Sequence, residues 1–223
     1  MVITMIKAEN ITKIYGSGEN EICALKDCTV SFESGTFTAI TGASGSGKST
    51  LLRIIGGLDT SAAGNVIYDE TNILSLDDTK LSEFRRQNIG FVFQSFELIG
   101  ELTAKENILL PLMLDKKRAD DTYFDMLTKR LGIDDRLSHY PEQLSGGQQQ
   151  RAAIARALIN KPKVLLCDEP TGNLDKKNGS EVLELLLSLQ AELGTTIIIV
   201  THDENIASKA ENTIRLEDGQ IIS

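Results

Sequence analysis

Residues Gly42, Ala43, Ser44, Gly45, Ser46, Gly47, Lys48 and Ser49 match the pattern G-x-x-x-x-G-K-[ST], and Thr50 continues the polar run. The chemistry open to such a loop is holding a phosphate chain. Glycines let the backbone fold closely around an anion so that successive N–H groups point inward. A helix opening at the end of the loop adds its positive dipole end. Lys48 would reach the β and γ phosphates, and Ser49 would ligate magnesium. The pattern needs a strand before it and a helix after it. Both are present as "FTAIT" (37–41) and the helical "STLLRIIGGL".

A second group follows the apolar run "VLLC", which ends in Asp168 and Glu169. At a strand tip, Asp168 is placed to hold the magnesium shell, and Glu169 can polarise an attacking water. Alone, the two acids could simply begin a loop; the phosphate loop upstream gives them a task. A third group is "LSGGQQQR" (144–151), where Ser145, Gly146, Gly147 and Gln148 read as the mouth of a helix prepared for an anion.

These groups must be carried by regular elements. Short β-branched or aromatic runs at "FTAIT", "NVIYD" (65–69), "IGFVFQ" (89–94), "KVLLCD" (163–168) and "TTIIIVTH" (195–202) predict strands. "VLLC" and "TIIIV" are apolar on consecutive residues, the pattern of parallel strands covered on both faces. Between them, Val182, Leu185, Leu186, Leu189 and Leu193 fall at helical spacing and stop at Gly194, which predicts a βαβ unit. The middle of the chain, about 97 to 160, has helical patterns such as Phe124, Leu127 and Leu131 and hardly any strand-like run. It reads as a helical lobe inserted into an α/β core. Asp218 and Gly219 predict a hairpin turn near the C-terminus.

The chain has 223 residues, 41% hydrophobic and 25% charged, enough for a sizeable core, and one compact unit is the expectation. The net charge of -9 argues against a sequence-independent grip on nucleic acid, so no nucleic-acid partner is expected. Cys23, Cys28 and Cys167 form no C-x-x-C pair, and a reducing cytosol fits them best. The N-terminus lacks the pattern of a signal peptide. The apolar stretch "ILLPLML" (108–114) is far short of the roughly 20 residues that span a bilayer. Any membrane part is therefore expected on another chain.

The order of the three groups resembles the ATP-binding cassette (ABC) ATPases over essentially the whole sequence. "LSGGQ" resembles the family's signature, and Tyr15 matches the aromatic that stacks on adenine. Gln94 matches the glutamine after the "GFVF" strand, Asp175 in "GNLD" the loop at the dimer seam, and His202 the switch histidine. The resemblance implies an α/β fold: a P-loop NTPase (RecA-like) core with a mainly parallel sheet, an N-terminal antiparallel β region and an inserted α-helical subdomain. Residues 1–223 would be one domain, its core about 1–93 and 160–223 and its helical subdomain about 94–159. The implied cofactors are ATP and Mg2+, the metal on Ser49, Gln94 and Asp168. Glu169, His202, Lys48 and Gln94 would carry catalysis, and Ser145 to Gln148 would cover the γ-phosphate held by a second copy. The implied protein is an ATPase that dimerises on ATP at the cytoplasmic face of the membrane. It would drive a separately encoded integral membrane permease that exports or extracts a peptide, lipoprotein or drug-like substrate.

"DEPTGNLD", with Gly-Asn where many relatives have Ser-Ala, resembles the lipoprotein-releasing, macrolide-exporting and antimicrobial-peptide-resistance branch. Taken singly, Tyr15 also reads as packing, Gln94 as a polar strand end and His202 as a core histidine. Phe96, Leu98, Ile99 and Leu102 fit either a groove for a membrane partner's helix or the core of the helical lobe. Alternatives at the level of function are force transmission without transport, as in the cell-division relative, and a soluble cassette acting on DNA or ribosomes. The sequence between Gly47 and Leu144 has no room for the long coiled coil of chromosome and repair relatives. A P-loop kinase would leave "LSGGQ" unexplained. The chain's length suggests a free-standing cassette, since relatives fused to their membrane domain are much longer.

Overall fold

The computed structural model describes residues 4–60 and 62–222. In chain order the elements are β1 (Thr4–Tyr15), β2 (Ile22–Glu33), β3 (Phe37–Thr41), α1 (Lys48–Ile55), β4 (Ala63–Tyr68), β5 (Thr71–Asn72), α2 (Asp78–Asn88), β6 (Ile89–Val92) and α3 (Ala104–Leu114). They continue with α4 (Asp121–Arg130), α5 (Gly146–Leu158), β7 (Val164–Asp168), α6 (Lys176–Leu193), β8 (Thr196–Val200), α7 (Glu204–Ala207), β9 (Asn212–Glu217) and β10 (Gln220–Ile221). The chain divides into two compact units, one running to Arg85 and resuming at Thr196, the other Arg86–Thr195.

In the first unit an antiparallel sheet runs in the order β2-β1-β4-β5. A second group of strands has β3 parallel to both β8 and β9, with β10 antiparallel to β9. Every residue of β8 and all but the last of β3 are buried, which is why these runs are apolar without alternation. α1 buries Leu51, Leu52, Ile54 and Ile55. The expected hairpin forms, with Asp218 and Gly219 at φ 45 and 77 and Glu217 paired to Gln220.

β1 and β2 are absent from the runs read as strands, although each is 12 residues long. Bulges hide them. Asn10 and Asp27 sit at φ 54 and 48 and shift the register, so the period of two breaks mid-strand. Each bulge is closed by a threonine across the pair: Asn10 N donates to Thr29 Oγ1 and Asp27 N to Thr12 Oγ1, both at 3.0 Å.

The second unit holds the parallel pair β6 and β7 with helices α3 to α6. The stretch expected to be helical contains α3, α4 and α5 and, among its described residues, no strand. α5 buries Ala152 to Ala155 with Ala157 and Leu158, and it lies so near β6 that a Cβ on Gly90 would stand 2.4 Å from the Ala157 carbonyl oxygen. α3 opens on a capping box, Thr103 with Glu106. Buried Asn107 accepts from Ile99 N (2.8 Å) and donates to the carbonyls of Ile99, Leu102 and Thr103, fixing the loop that enters the helix. α6 ends at Gly194 in the left-handed conformation, where the sequence places its C-cap.

Candidate active site

In the first unit the Gly42–Ser49 loop leaves β3 and enters α1. Gly42 and Gly47 hold φ of 145 and 101, and neither has room for a side chain. A Cβ on Gly42 would stand 2.1 Å from the Leu216 carbonyl oxygen, and one on Gly47 would stand 2.4 Å from that of Ala24. The C-terminal hairpin clamps the loop: Gly219 N donates to Ser46 O (3.1 Å), while Gly219 O accepts from Lys26 N (2.8 Å) and Cys28 Sγ (3.1 Å). Lys48 is buried and arches back over the loop, donating from Nζ to the carbonyls of Gly42 (2.9 Å) and Ala43 (2.8 Å). Ser46 Oγ is buried without a hydrogen-bond partner, the kind of orphan that a bound oxyanion satisfies. Gly47 occupies the N-cap of α1 and provides no side-chain cap, so no side chain of its own competes with an anion there.

Tyr15 ends β1 and is 41% exposed. Its hydroxyl donates to Asp59 Oδ2 (3.0 Å), Lys13 Nζ pairs with Asp59 Oδ1 (2.8 Å), and the same ammonium lies 4.7 Å from the ring centroid. The Asp59 bond and the Lys13 ammonium hold the part-exposed ring in place. His202 follows β8 and is exposed. It lines a cleft of about 400 Å³ together with Gly42, Ala43, Asp203, Thr213 and Arg215, so the histidine and the phosphate loop open onto one space.

In the second unit Asp168 is the last residue of β7. Glu169 sits in the left-handed region at φ 48, a conformation uncommon for a non-glycine residue and concentrated at functional sites. A turn closes behind it, with Gly172 N donating to Glu169 O at 2.9 Å. Ser145 is the N-cap of α5: its hydroxyl accepts from Gln148 N (3.3 Å) and Gln148 Oε1 accepts from Ser145 N (3.0 Å). Gly146 and Gly147 form the first turn of that helix, and a Cβ on Gly147 would meet Asn178 Oδ1 at 3.2 Å. Asp175 caps α6 by accepting from Asn178 N (3.0 Å) and Nδ2 (2.6 Å), bonds that hold its carboxyl below the usual range.

Of the expected residues, Tyr15, Gly42 to Thr50 and His202 fall in the first unit, where His202 shares a cleft with Gly42 and Ala43, and Gln94, Ser145 to Gln148, Asp168, Glu169 and Asp175 fall in the second. Three supporting residues are missing from the sequence reading. Gln150 donates to Pro170 O at 2.6 Å and so ties α5 to the turn after Glu169. Arg156 holds the carbonyls of Phe96 and Glu97, and Asn173 holds Gln94. The only sequence signal for any of them is the polarity of Gln150 and Arg156 within an otherwise apolar helix face.

The family model described as ABC transporter matches residues 25–172. The chain belongs to the ABC transporter family. It is 50% identical over 222 residues to an uncharacterized ABC transporter ATP-binding protein, MJ1508, of Methanocaldococcus jannaschii, covering 98% of both chains. It is 44% identical to the lipoprotein-releasing system ATP-binding protein LolD of Geobacter metallireducens, covering 99% of both. It is 46% identical to the macrolide export ATP-binding/permease protein MacB of Mannheimia succiniciproducens, covering 99% of this chain and 34% of that one. Among solved structures it matches the dimeric post-hydrolysis state of the cassette MJ0796 bound to ADP and Pi, with TM-score 0.89, 45% identity, and 98% and 97% of the two chains covered. The cassette fold and the ATPase class expected from the motifs hold, as does the branch. Among the described residues no helix is long and apolar enough to cross a membrane.

Proposed function

We propose that this chain hydrolyses ATP to drive a separate integral membrane permease, pairing with a second copy of itself when ATP is bound. The observation that carries the reading is the clamped phosphate loop, with Lys48 folded over it and Ser46 Oγ left without a partner. Lys48 exchanges its two loop carbonyls for phosphate oxygens, an exchange of neutral for charged acceptors that favours the bound state. The exposed Tyr15 ring takes the adenine. Ser49, Gln94 and Asp168 supply a hydroxyl, an amide oxygen and a carboxylate. These are hard oxygen donors suited to Mg2+, which would neutralise phosphate charge when bound.

Glu169 orients water for in-line attack and accepts its proton, and His202 contacts the γ-phosphate. Ser145 with the amides of Gly146 and Gly147 covers the phosphate held by the second copy, and Asp175 lies at that seam. ATP therefore joins two copies and hydrolysis releases them. The substrate is a peptide, lipoprotein or drug-like molecule carried by the permease, and the chain works at the cytoplasmic face of the membrane. Ile99, 40% exposed beside half-buried Phe96, Leu98 and Leu102, offers the permease an apolar edge, and Met113 and Leu114, 61% and 62% exposed, offer another.

The test is to express tagged Glu169→Gln protein in its native host, solubilise membranes gently with ATP and magnesium, and identify what copurifies. A membrane protein of a few spans with a large outer region is expected. Recovery of only ribosomes, DNA or soluble proteins overturns the permease reading and leaves the ATPase chemistry intact.

A further inference from the structure

The Gln94 side chain rests on the loop that follows β7. Asn173 Nδ2 donates to the Gln94 main-chain oxygen at 2.9 Å, and Gln94 Nε2 donates back to Asn173 Oδ1 at 3.4 Å. Gly172 leaves the space for this pairing, since a Cβ there would stand 2.7 Å from Gln94 Nε2. The loop presenting both residues is itself fixed. Gly172 N donates to Glu169 O (2.9 Å), Leu174 N donates to Thr171 O (3.0 Å), and Asp175 begins α6 as its cap.

A glutamine amide on an exposed residue can turn either end outward, and the two ends have opposite polarity. Here Nε2 is committed to Asn173, so Oε1 is the end turned away. A hard cation or a water proton is recognised by that oxygen and repelled by the amide hydrogens. Because one asparagine holds both the main chain and the side chain of position 94, the orientation of Gln94 is also tied to the loop that carries Asp175.

We infer that Asn173 is a positioning residue: it sets which end of the Gln94 amide faces outward and locks that choice to the 171–175 loop. Gly172 is its counterpart, the residue whose missing side chain admits the amide. The inference rests on the proposed part of Gln94 in hydrolysis. It adds a pair of residues that work through Gln94 rather than on the nucleotide.

The experiment uses the 15N-labelled full chain without nucleotide, the Gln94 side-chain amide signals being identified by their loss in Gln94→Ala. In Asn173→Ala those signals shift. At saturating ATP and magnesium, kcat of Asn173→Ala falls by roughly tenfold, as for other residues that orient a metal's ligand. KM for ATP stays within about twofold, because the uniform binding made by the phosphate loop is untouched. An unmoved Gln94 signal in Asn173→Ala, or wild-type kcat there alongside a lowered kcat in Gln94→Ala, overturns the role of Asn173 alone. Wild-type kcat in Gln94→Ala overturns the part given to Gln94, and the positioning role with it.

Discussion

Arg156, on the helix that opens with Ser145, donates from Nη2 to the main-chain oxygen of Phe96 at 2.8 Å and from Nη1 to that of Glu97. Phe96 and Glu97 occupy the left-handed region in succession, at φ 61 and 52. Such conformations cost on the order of 1–3 kcal/mol each and persist where surrounding groups hold them. The guanidinium is such a group, and through it the signature helix holds the loop that follows Gln94.

Arg156→Met, which keeps most of the apolar stem, should lower stability by about 1–3 kcal/mol through two lost charge-assisted bonds. Thermal unfolding measures the loss. Amide exchange in 95–99 should quicken while that in β8 stays unchanged, and equal quickening in both would refute the local account.

Two loop glycines should separate close approach from backbone strain. Gly42→Ala forces a Cβ against the Leu216 carbonyl oxygen, so calorimetry should detect no ATP binding and stability should fall by roughly 2 kcal/mol or more. Gly45, at φ 79, has nothing within 4 Å of a Cβ. Gly45→Ala should cost only about 1–2 kcal/mol, the left-handed penalty of an L residue. Equal losses in the two variants would contradict the clamp by the C-terminal hairpin.

Glu169→Gln should lower kcat by about 10²–10⁴, the usual contribution of a general base, with ATP affinity close to wild type. Lys48→Ala should show the complementary pattern, weak ATP binding, because its contacts are with the loop proposed to hold the phosphates. Normal turnover by Glu169→Gln in a clean preparation would remove Glu169 from the catalytic role.

Acid should destabilise the fold through a defined set of carboxyls. Asp115 is held below its ordinary 3.8 chiefly by the Arg86 guanidinium, Asp120 by the Tyr123 amide and Glu106 below 4.5 by Thr103. A depressed folded-state pKa adds stability above the unfolded value and loses it as pH falls through the folded one. The melting temperature should therefore change little from these groups between pH 7 and about 5 and drop below about pH 4. Asp115→Asn should flatten that acid limb, and a limb identical to wild type would show that Asp115 does not contribute.

The elements that carry the candidate site were legible because their motifs are local. A glycine loop between an apolar run and a helix, a serine two residues before a second glycine, and an acid pair at the end of "VLLC" each depend on neighbours in sequence. β7, β8 and α6 were legible for the same reason, since full burial leaves an unbroken apolar run and one-sided burial leaves a helical stripe. β1 and β2 were not, because their bulges at Asn10 and Asp27 break the alternation that marks a strand.

The sequence by itself determined that a glycine loop joins a strand to a helix, which acids stand at a strand end and which helix opens on a serine and two glycines. Tertiary structure alone decided that Leu216 and Gly219 close over the phosphate loop, that Arg156 holds Phe96 and that Asn173, 79 positions away, bonds to Gln94. Those meetings arise where distant segments are brought together by packing. A hydrogen bond between distant residues leaves no period or spacing in the chain from which it could be read.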